Sequence, residues 1–220
     1  RGVHPWSLKL NESDDNHITF TLTLFEKAND YLPYIYASLK RGEDKGFGKN
    51  RTLYKVQEII CKDIDIISED GNHIINLPLE TFIVNEDCNT LIDVKYNVNL
   101  ISPLRFNKDG KITKQLSAEQ FFPCINRRIR ALCSLYSNNY VEKPYRFTDI
   151  KISETNLRYE NLTRWSARQK TVQNLGGIKG SFSLCGKISL FEDSLLKSAE
   201  LFGAGKLTNF GLGQISLETL

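Results

Sequence analysis

The sequence of 220 residues predicts an α+β fold of duplicated ferredoxin-like units, with antiparallel sheets and helices on one face, and with the first unit incomplete. The order helix, Gly-x-Gly and strand occurs twice, at Gly46-Phe47-Gly48 and at Phe210-Gly211-Leu212-Gly213, which indicates an internal duplication. From residue 93 onward the predicted elements follow the order β-α-β-β-α-β of a complete ferredoxin-like unit. We therefore expect a partial first unit with a hairpin and a linker in residues 1–91, and a second unit in residues 92–220.

The first unit is predicted to open with a strand and a helix. Polar and apolar residues alternate from His17 to Phe25, which is typical of a half-buried strand. Asp30 is the expected N-cap of the helix that follows. Three further strands are expected over residues 52–60, 64–67 and 73–77. Residues 78–91 are acidic and rich in turn-forming residues, so they are the expected linker.

The strands of the second unit are expected over residues 93–101, 148–159, 178–190 and 215–217, with a polar, basic loop at residues 165–177. Ser117 and Gln120 predict a capping box at the start of a long helix. Pro123 should kink this helix or delay its start, because proline lacks the N–H of a helical hydrogen bond. Asp193 is the expected cap of the last helix, and Gly203 is expected to end it.

Charge is distributed unevenly along the chain, although the net charge is only +3. Residues 101–180 hold 15 basic and 6 acidic residues, whereas residues 1–100 hold 11 basic and 16 acidic residues. A basic region of this kind indicates a polyanionic partner. An unevenly charged, solvated surface is the alternative interpretation, and composition alone does not separate the two.

Several classes of protein and site are disfavoured. The five cysteines contain no Cys-x-x-Cys pair, which favours reduced thiols in the cytoplasm over a zinc site or a disulfide framework. No apolar run approaches the ~20 residues of a membrane helix. We find no compact His/Asp/Glu ligand spacing and no P-loop, so we expect no metal and no small-molecule cofactor.

The strongest candidate for binding chemistry is a cluster of basic and aromatic residues near residue 165. Its members are Arg158, Tyr159, Arg164, Trp165, Arg168 and Lys170. Arginine can chelate phosphate and stack on a base, and Trp and Tyr offer faces to unpaired bases. The alternative is an exposed basic hairpin with Trp165 packed onto the core. Arg127, Arg128 and Arg130 lie off the apolar stripe of the long helix, where a solvated face is the more common explanation, and Arg105 could approach RNA or pair with a carboxylate.

A set of segments, in the order in which a known family has them, carries a resemblance to that family. They are Leu24–Tyr34, Gly46–Lys49, Ser102–Phe106, Trp165–Thr171, Gly176–Gly177 and Gly205–Gly213. Together they span nearly the whole chain and resemble the CRISPR-associated endoribonucleases of the RAMP superfamily, which cut precursor guide RNA at its repeats. Relatives carry a further segment before the part matched here, and the chain contains no methionine, so we expect an amino-terminal segment to be missing.

The resemblance implies a metal-independent endoribonuclease whose partner is CRISPR repeat RNA or guide RNA. In such an enzyme the ribose 2′-OH attacks the adjacent phosphate, which requires a base, an acid and cations around the phosphorane. The histidines His4, His17 and His73 match no catalytic segment, so Lys170, Arg168 and Tyr159 are the expected catalytic residues. The expected RNA-binding residues are Arg158, Arg164, Trp165, Arg127, Arg130, Gly203, Gly205, Lys206, Gly211 and Gly213.

Two other functions stay open. The first is a non-catalytic RAMP subunit that binds guide RNA within a CRISPR effector complex, with the other subunits of that complex as partners. The poor histidine inventory supports it. The second is a generic protein-interaction domain with the same fold. A glycine-rich packing turn is likewise an alternative explanation for the loop at Gly203–Gly213.

Overall fold

In the computed structural model, the chain folds into two compact units. The described residues are 3–14, 16–48, 50–75, 81–108, 111–137, 150–166 and 168–220. The large unit comprises Arg1–Phe25 and Val84–Leu220, and the small unit comprises Glu26–Ile83. Residues 3–14 and 16–25, which we expected in a first unit of residues 1–91, are therefore part of the large unit.

The amino-terminal part of the large unit is an antiparallel hairpin of strands β1 (Trp6–Ser13) and β2 (Ile18–Leu24). Its contacts with the rest of the unit include a hydrogen bond and a ring contact near the end of the last helix. The hydroxyl of Ser7 donates a hydrogen bond of 3.1 Å to the carbonyl oxygen of Leu201. The ring of Phe25 meets that of Phe202 edge-on, with 5.3 Å between the ring centroids.

The small unit begins with a 3-10 helix (Glu26–Tyr31) that runs into helix α1 (Leu32–Glu43). The N-cap of α1 is Tyr31, so the prediction of Asp30 is wrong. The preceding turn is already helical, so Asp30 lies inside the 3-10 helix and not at its boundary. Strands β3 (Ile60–Cys61) and β4 (Ile64–Asp65) form a short hairpin.

The predicted strand over residues 52–60 forms only at its ends. Phe47 and Thr52 form an isolated bridge, and residues 53–59 pair with no neighbouring strand in the described part of the chain. The return strand predicted at residues 73–77 is reduced to a bridge between Ile67 and Ile74. Part of that strand and of the predicted linker, residues 76–80, lies outside the described residues.

The remainder of the large unit contains the main sheet. In chain order its elements are β5 (Leu91–Leu104), β6 (Asn107–Lys108), β7 (Lys111–Ile112), α2 (Ala118–Tyr136), β8 (Ile150–Glu160), β9 (Thr163–Ser166), β10 (Thr171–Asn174), β11 (Gly177–Ser189), α3 (Leu190–Phe202) and β12 (Ile215–Thr219). A 3-10 helix (Thr208–Phe210) precedes β12. The antiparallel sheet has the order β12-β5-β11-β8, which is the ferredoxin-like order and confirms the predicted fold class.

The core lies between this sheet and helices α2 and α3. Alternation along β5 places Val98 and Leu100 on the core face, where both are buried, and Val98 lies opposite Phe182 of β11. Phe121 of α2 packs edge-on against Phe182 at a centroid distance of 5.2 Å. Burying a side chain of this size contributes about 1.5–3 kcal/mol. Helix α2 begins five residues before Pro123, so the proline does not delay its start.

The helix caps differ in part from those predicted. Ser117 is the N-cap of α2, but its side chain makes no capping hydrogen bond. The capping box is found at α3, where Ser189 is the N-cap and exchanges hydrogen bonds with Glu192. Asp193 is not the cap. Its carboxylate instead accepts a hydrogen bond of 2.8 Å from the hydroxyl of Tyr96, whose pKa rises to about 12 through burial and this hydrogen bond.

Gly203 ends α3 as predicted, with a φ of 72° and its N–H donated to Ala199.

Candidate nucleic-acid interface

The basic segment that we expected to be a loop is the β9–β10 hairpin. Trp165 pairs with Val172, and Arg164 pairs with Gln173. Because successive strand residues point to opposite faces, Trp165 and Val172 share one face and Arg164 and Gln173 share the other. Trp165 is 63% exposed and Val172 is 64% exposed. Trp165 therefore does not pack onto the core, and the outer face of the hairpin presents apolar surface to solvent.

The turn of this hairpin carries two of the three expected catalytic residues. Arg168 and Lys170 are both exposed, and Lys170 has a φ of 50° in the left-handed region. The backbone N–H of Gln169 donates to the hydroxyl of Ser166 at 3.3 Å, and its side-chain oxygen accepts from Gln173 at 2.6 Å. These bonds tie the turn to its strands and leave two cations at the tip.

Arg164 joins the hairpin to the glycine-rich loop. Its guanidinium carbon lies 4.0 Å from the centroid of the Phe210 ring, within the range of a cation–π interaction. Its Nε donates a hydrogen bond of 2.8 Å to Oε1 of Gln173, its cross-strand neighbour. Arg164 is consequently half-buried. We call the hairpin together with Gly203–Gly213 the hairpin–loop surface.

The glycines of this loop adopt conformations that other residues avoid. The φ angles are 72° at Gly203, 77° at Gly205, 81° at Gly211 and 70° at Gly213. A Cβ on Gly205 would collide with the carbonyl oxygen of Arg105, and one on Gly213 would collide with that of Ala204. The packing-turn interpretation therefore accounts for these two glycines.

Much of the backbone of the loop is already hydrogen-bonded within the protein. The N–H of Gly213 donates to Pro103 at 3.1 Å, that of Ala204 to Gly213 at 2.7 Å, and that of Lys206 to Arg105 at 2.8 Å. The side chain of Lys206 is exposed. Lys206 therefore offers an anion its ammonium group, whereas its backbone N–H is taken.

Arg105 is a second link between the segments. Its Nη1 donates a hydrogen bond of 2.6 Å to the carbonyl oxygen of Gly176, and its own carbonyl accepts from Lys206. From the sequence, Arg105 could approach RNA or pair with a carboxylate. In the structure, its Nη1 donates to a backbone carbonyl instead. Arg105 thus holds the end of β5 to the segment before β11 and to the loop.

Arg158 lies on β8, on the face of the sheet that faces away from the helices. It is exposed and directly opposite Lys179 of β11. Two like charges in such a pair repel each other. Nζ of Lys179 lies 3.6 Å from the carboxylate of Glu160, which offsets part of this repulsion. Arg158 and Lys179 together place two positive charges where an anionic ligand could bind.

Tyr159 lies on the other face of β8, opposite the buried Ile178. Nζ of Lys114 is 5.3 Å from the centroid of its ring. Although all three expected catalytic residues are described, no hydrogen bond or ring contact joins Tyr159 to Arg168 or Lys170. The structure thus groups the two hairpin cations and places Tyr159 separately, in the main sheet.

The arginines of α2 do not share one environment. Arg127 is exposed and Arg130 is half-buried, whereas Arg128, which we expected off the apolar stripe, is only 5% exposed. Nε of Arg128 donates a hydrogen bond of 2.8 Å to the carbonyl oxygen of Phe202, and its Nη2 lies 3.5 Å from the carbonyl oxygen of Trp6. Burial lowers its pKa to about 10. Arg128 caps the carboxyl end of α3, where cations are stabilised, and so has a structural role.

The histidines occupy ordinary positions. His4 lies just before β1, and His17 and His73 lie in turns. Nδ1 of His17 is 3.6 Å from the carboxylate of Asp14, and Nδ1 of His73 is 3.6 Å from that of Asp70. Among the described residues, no hydrogen bond, ion pair or ring contact joins His4 or His17 to the hairpin–loop surface. Within the described ranges, no group of His, Cys, Asp and Glu is placed to hold a metal ion.

Every helix in the described part of the chain is too short or too polar to cross a bilayer.

Sequence reasoning missed the residues that assemble the surface. Phe210 and Gln173 hold Arg164, and Val172 extends the apolar face beside Trp165. Phe210 lies directly before a Gly-x-Gly, and Phe47 lies between two glycines. An aromatic residue in a glycine-rich loop was therefore the feature of the sequence that could have pointed to Phe210.

Family comparisons agree with this architecture. The family model described as CRISPR-associated endoribonuclease Cas6 matches residues 98–215, more than half of the chain. A second family model, the N-terminal domain AF_1859_N, matches residues 4–78. No curated protein is significantly similar in sequence.

Solved structures show the same fold. A Cas6 protein (TTHB231) in a product complex is similar over 97% of this chain and 82% of that chain, with a TM-score of 0.58 and 14% sequence identity. A chain of a partial Cas6-RT-Cas1–Cas2 complex is similar over 99% of this chain and 39% of that chain, with a TM-score of 0.55 and 13% identity. Both likenesses support the fold described above.

Proposed function

This chain belongs to the family of CRISPR-associated endoribonucleases called Cas6, and we propose that it binds CRISPR repeat RNA and cleaves it to release guide RNAs. We place this activity in the cytoplasm. The proposal requires no metal and no small-molecule cofactor.

The observation that carries the proposal is the contact between Arg164 and Phe210. It brings a basic, aromatic hairpin onto a glycine-rich loop. The hairpin presents the exposed Trp165 and two cations at its tip, and the loop presents the exposed Lys206. Exposed aromatic faces beside cations suit unpaired bases and the phosphates between them.

We assign the hairpin tip to the scissile phosphate. When the ribose 2′-OH attacks, negative charge grows on the phosphorane, and Arg168 and Lys170 are placed to stabilise it. The attacking 2′-OH gives up its proton to solvent water, and the leaving 5′ oxygen takes up a proton, for which Lys170 at the tip is the candidate general acid. The products are a 2′,3′-cyclic phosphate and a 5′-OH end.

The remaining candidate residues divide by their surroundings. Those with exposed cationic or aromatic groups are proposed to touch RNA directly: Arg158, Trp165, Arg127 and Lys206. Those fixed by internal contacts or close packing are proposed to shape the surface: Arg164, Gly203, Gly205, Gly211 and Gly213. Arg130 is half-buried, and we group it with Arg127 at the margin of the site.

A guide-binding subunit without catalytic activity is the second candidate. The observation that favours it is the placement of His17 and His73, each beside an aspartate of its own turn. Such a subunit would keep the same surface, act with other CRISPR effector subunits, and bind RNA without cutting it.

The test is incubation of the protein in EDTA with labelled RNA that carries two repeats from its own locus. Cleavage at one site in each repeat, ending in a cyclic phosphate, is the expected result. The double variant Arg168→Ala/Lys170→Ala should lower the single-turnover cleavage rate at least about 100-fold, as loss of transition-state charge stabilisation does.

Lys187→Ala is the matched control, because Lys187 is an exposed lysine of β11 outside the site. Tight binding without a cut would replace the nuclease by the guide-binding subunit. Absence of binding at low salt would overturn both proposals, since phosphate contacts are strongest there.

A further inference from the structure

A second basic segment lies in the small unit, away from the hairpin–loop surface in sequence. Residues 40–55 hold six of the eleven lysines and arginines of residues 1–100, but only two of their sixteen acidic residues. The six are Lys40, Arg41, Lys45, Lys49, Arg51 and Lys55. The remainder of the first hundred residues is strongly acidic, so this segment is a local run of positive charge in the sequence, of the kind that attracts polyanions.

The described residues on either side of position 49 form a tight turn. It follows α1 directly, and the N–H of Gly46 donates to Gly42 at 2.9 Å. Phe47 and Thr52 then exchange two backbone hydrogen bonds, of 2.8 and 3.0 Å. Gly46 has a φ of 67°, and a Cβ there would collide with the backbone of Arg51. The loop therefore holds the side chain of Phe47 in a defined position.

The ring of Phe47 is supported on one face and open to solvent. It stacks on the ring of Tyr54 at a centroid distance of 4.6 Å and an interplanar angle of 27°. The hydroxyl of Tyr54 donates a hydrogen bond of 2.7 Å to the carbonyl oxygen of Leu39. Tyr54 also lies against Gly42, and a side chain on Gly42 would displace the Tyr54 ring. Although one face is packed, Phe47 is 61% exposed.

Exposed cations stand on both sides of this ring in the sequence. Lys45 precedes it by two residues and Arg51 follows it by four, and both side chains are exposed. Arginine and lysine in these positions suit phosphates on either side of a base, and a fixed aromatic face suits the base itself. An acidic peptide would use the cations but not the ring, so the observations favour a single-stranded nucleic acid.

We propose that Phe47 is a stacking platform for one unpaired base of the RNA substrate, with Lys45 and Arg51 contacting the adjoining phosphates. The inference rests on the proposed function, because it assumes that the chain binds RNA. It adds a second contact, formed entirely by the small unit, and it assigns that contact to a single-stranded part of the RNA.

The test compares the affinity of the full chain for labelled repeat RNA in wild-type protein and in Phe47→Leu, Phe47→Ala and Phe47→Trp. Leucine keeps an apolar side chain on Tyr54 but removes the aromatic face. Loss of one base–aromatic stack is expected to weaken binding about 5- to 150-fold in Phe47→Leu and Phe47→Ala. Phe47→Trp should bind at least as tightly as the wild type.

Tyr34→Ala is the matched control, since Tyr34 is 70% exposed and lies on α1 of the same unit. It should change affinity less than twofold. Arg51→Gln should lower the slope of log affinity against log salt by about 0.7, as expected for one lost phosphate contact with a single strand.

The outcomes separate the two proposals. If the wild type binds and cleaves repeat RNA while Phe47→Leu retains full affinity and its normal circular dichroism spectrum, only the platform is overturned. If Tyr34→Ala loses as much affinity as Phe47→Leu, the platform is also overturned, because the loss is then not specific to this ring. If the wild type binds no repeat RNA at low salt, the proposed function is overturned and the platform with it.

Discussion

The two glycine-rich loops of this chain share a motif but use their aromatic residue differently. In the small unit, Phe47 stacks on Tyr54 and keeps 61% of its surface exposed. In the large unit, Phe210 is covered by the guanidinium of Arg164 and is 43% exposed. An aromatic residue at a Gly-x-Gly motif is thus an open ring in one loop and a docking point for a hairpin in the other. The motif specifies the turn, and the neighbouring segments decide what the ring does.

Substitution of a crowded glycine in either loop is expected to have the largest effect on stability. Gly213 and Gly46 both have positive φ, and a Cβ on either would collide with backbone atoms of the same loop. We expect Gly213→Ala and Gly46→Ala each to destabilise their own unit by more than about 3 kcal/mol, since backbone must move in both. Denaturant unfolding followed by far-UV circular dichroism measures this. A loss below about 1 kcal/mol at either site would show that the crowding is relieved at little cost.

The helices that lead into the two loops end differently, and this predicts the next effect. The end of α3 is held by Arg128, whose Nε donates to Phe202, whereas α1 ends in a bond from the N–H of Gly46 to Gly42. Arg128→Met keeps the apolar stem but removes a hydrogen bond from a charged donor. We expect a loss of about 2–3 kcal/mol in the stability of the large unit.

Arg127→Met is the control for this substitution, because Arg127 is the exposed neighbour on the same helix. It should change stability by less than about 0.5 kcal/mol. Equal effects from the two variants would refute a structural role for the buried guanidinium.

Each loop also has a glycine with free space around the position of a Cβ, and substitution there is expected to cost less stability. Gly48 has a φ of 72° and no heavy atom within 4 Å of an added Cβ, and the nearest atom to a Cβ on Gly211 is 3.7 Å away. Alanine at either position therefore meets only the cost of a left-handed backbone, about 1–2 kcal/mol. The same unfolding measurement applies, and a loss as large as that of Gly213→Ala would contradict the distinction between crowded and open glycines.

The smallest expected effect is the coupling between Arg164 and Phe210. A partly exposed cation–π contact contributes about 0.5–1 kcal/mol, so Arg164→Ala and Phe210→Ala should be non-additive by that amount in a double-mutant cycle of stability. The pair Arg158 and Phe210 provides an uncoupled control. Additivity within about 0.3 kcal/mol for Arg164 and Phe210 would mean that the hairpin docks on the loop through other contacts.

The sequence predicted the main sheet well because its strands alternate strictly and its helices carry continuous apolar stripes. Val98 and Leu100 reach the core on the expected face of β5. The small unit was predicted less well, because a strand requires a neighbour that local alternation does not supply, as residues 53–59 show. Asp193 was a reasonable cap by residue type, but Ser189 with Glu192 satisfies two donors where Asp193 would satisfy one.

The candidate site was foreseen in part. The residue types near position 165 indicated a basic, aromatic surface, and their exposure agrees with it. That Arg164 would turn inward could not be foreseen, because the β9–β10 register and the position of Phe210 are both tertiary properties. Arg128 is a similar case, since a helix stripe does not show where another helix ends.

The exposure of Trp165 has an optical consequence. The chain contains two tryptophans, Trp6, which is half-buried, and Trp165, which projects from the hairpin. A water-soluble quencher such as iodide should extinguish the emission of Trp165 more strongly than that of Trp6. A base stacked on Trp165 would quench the same emission by itself and shield it from iodide. The protein thus carries a native fluorophore on its proposed RNA surface, and occupancy of that surface can be followed in solution without any label.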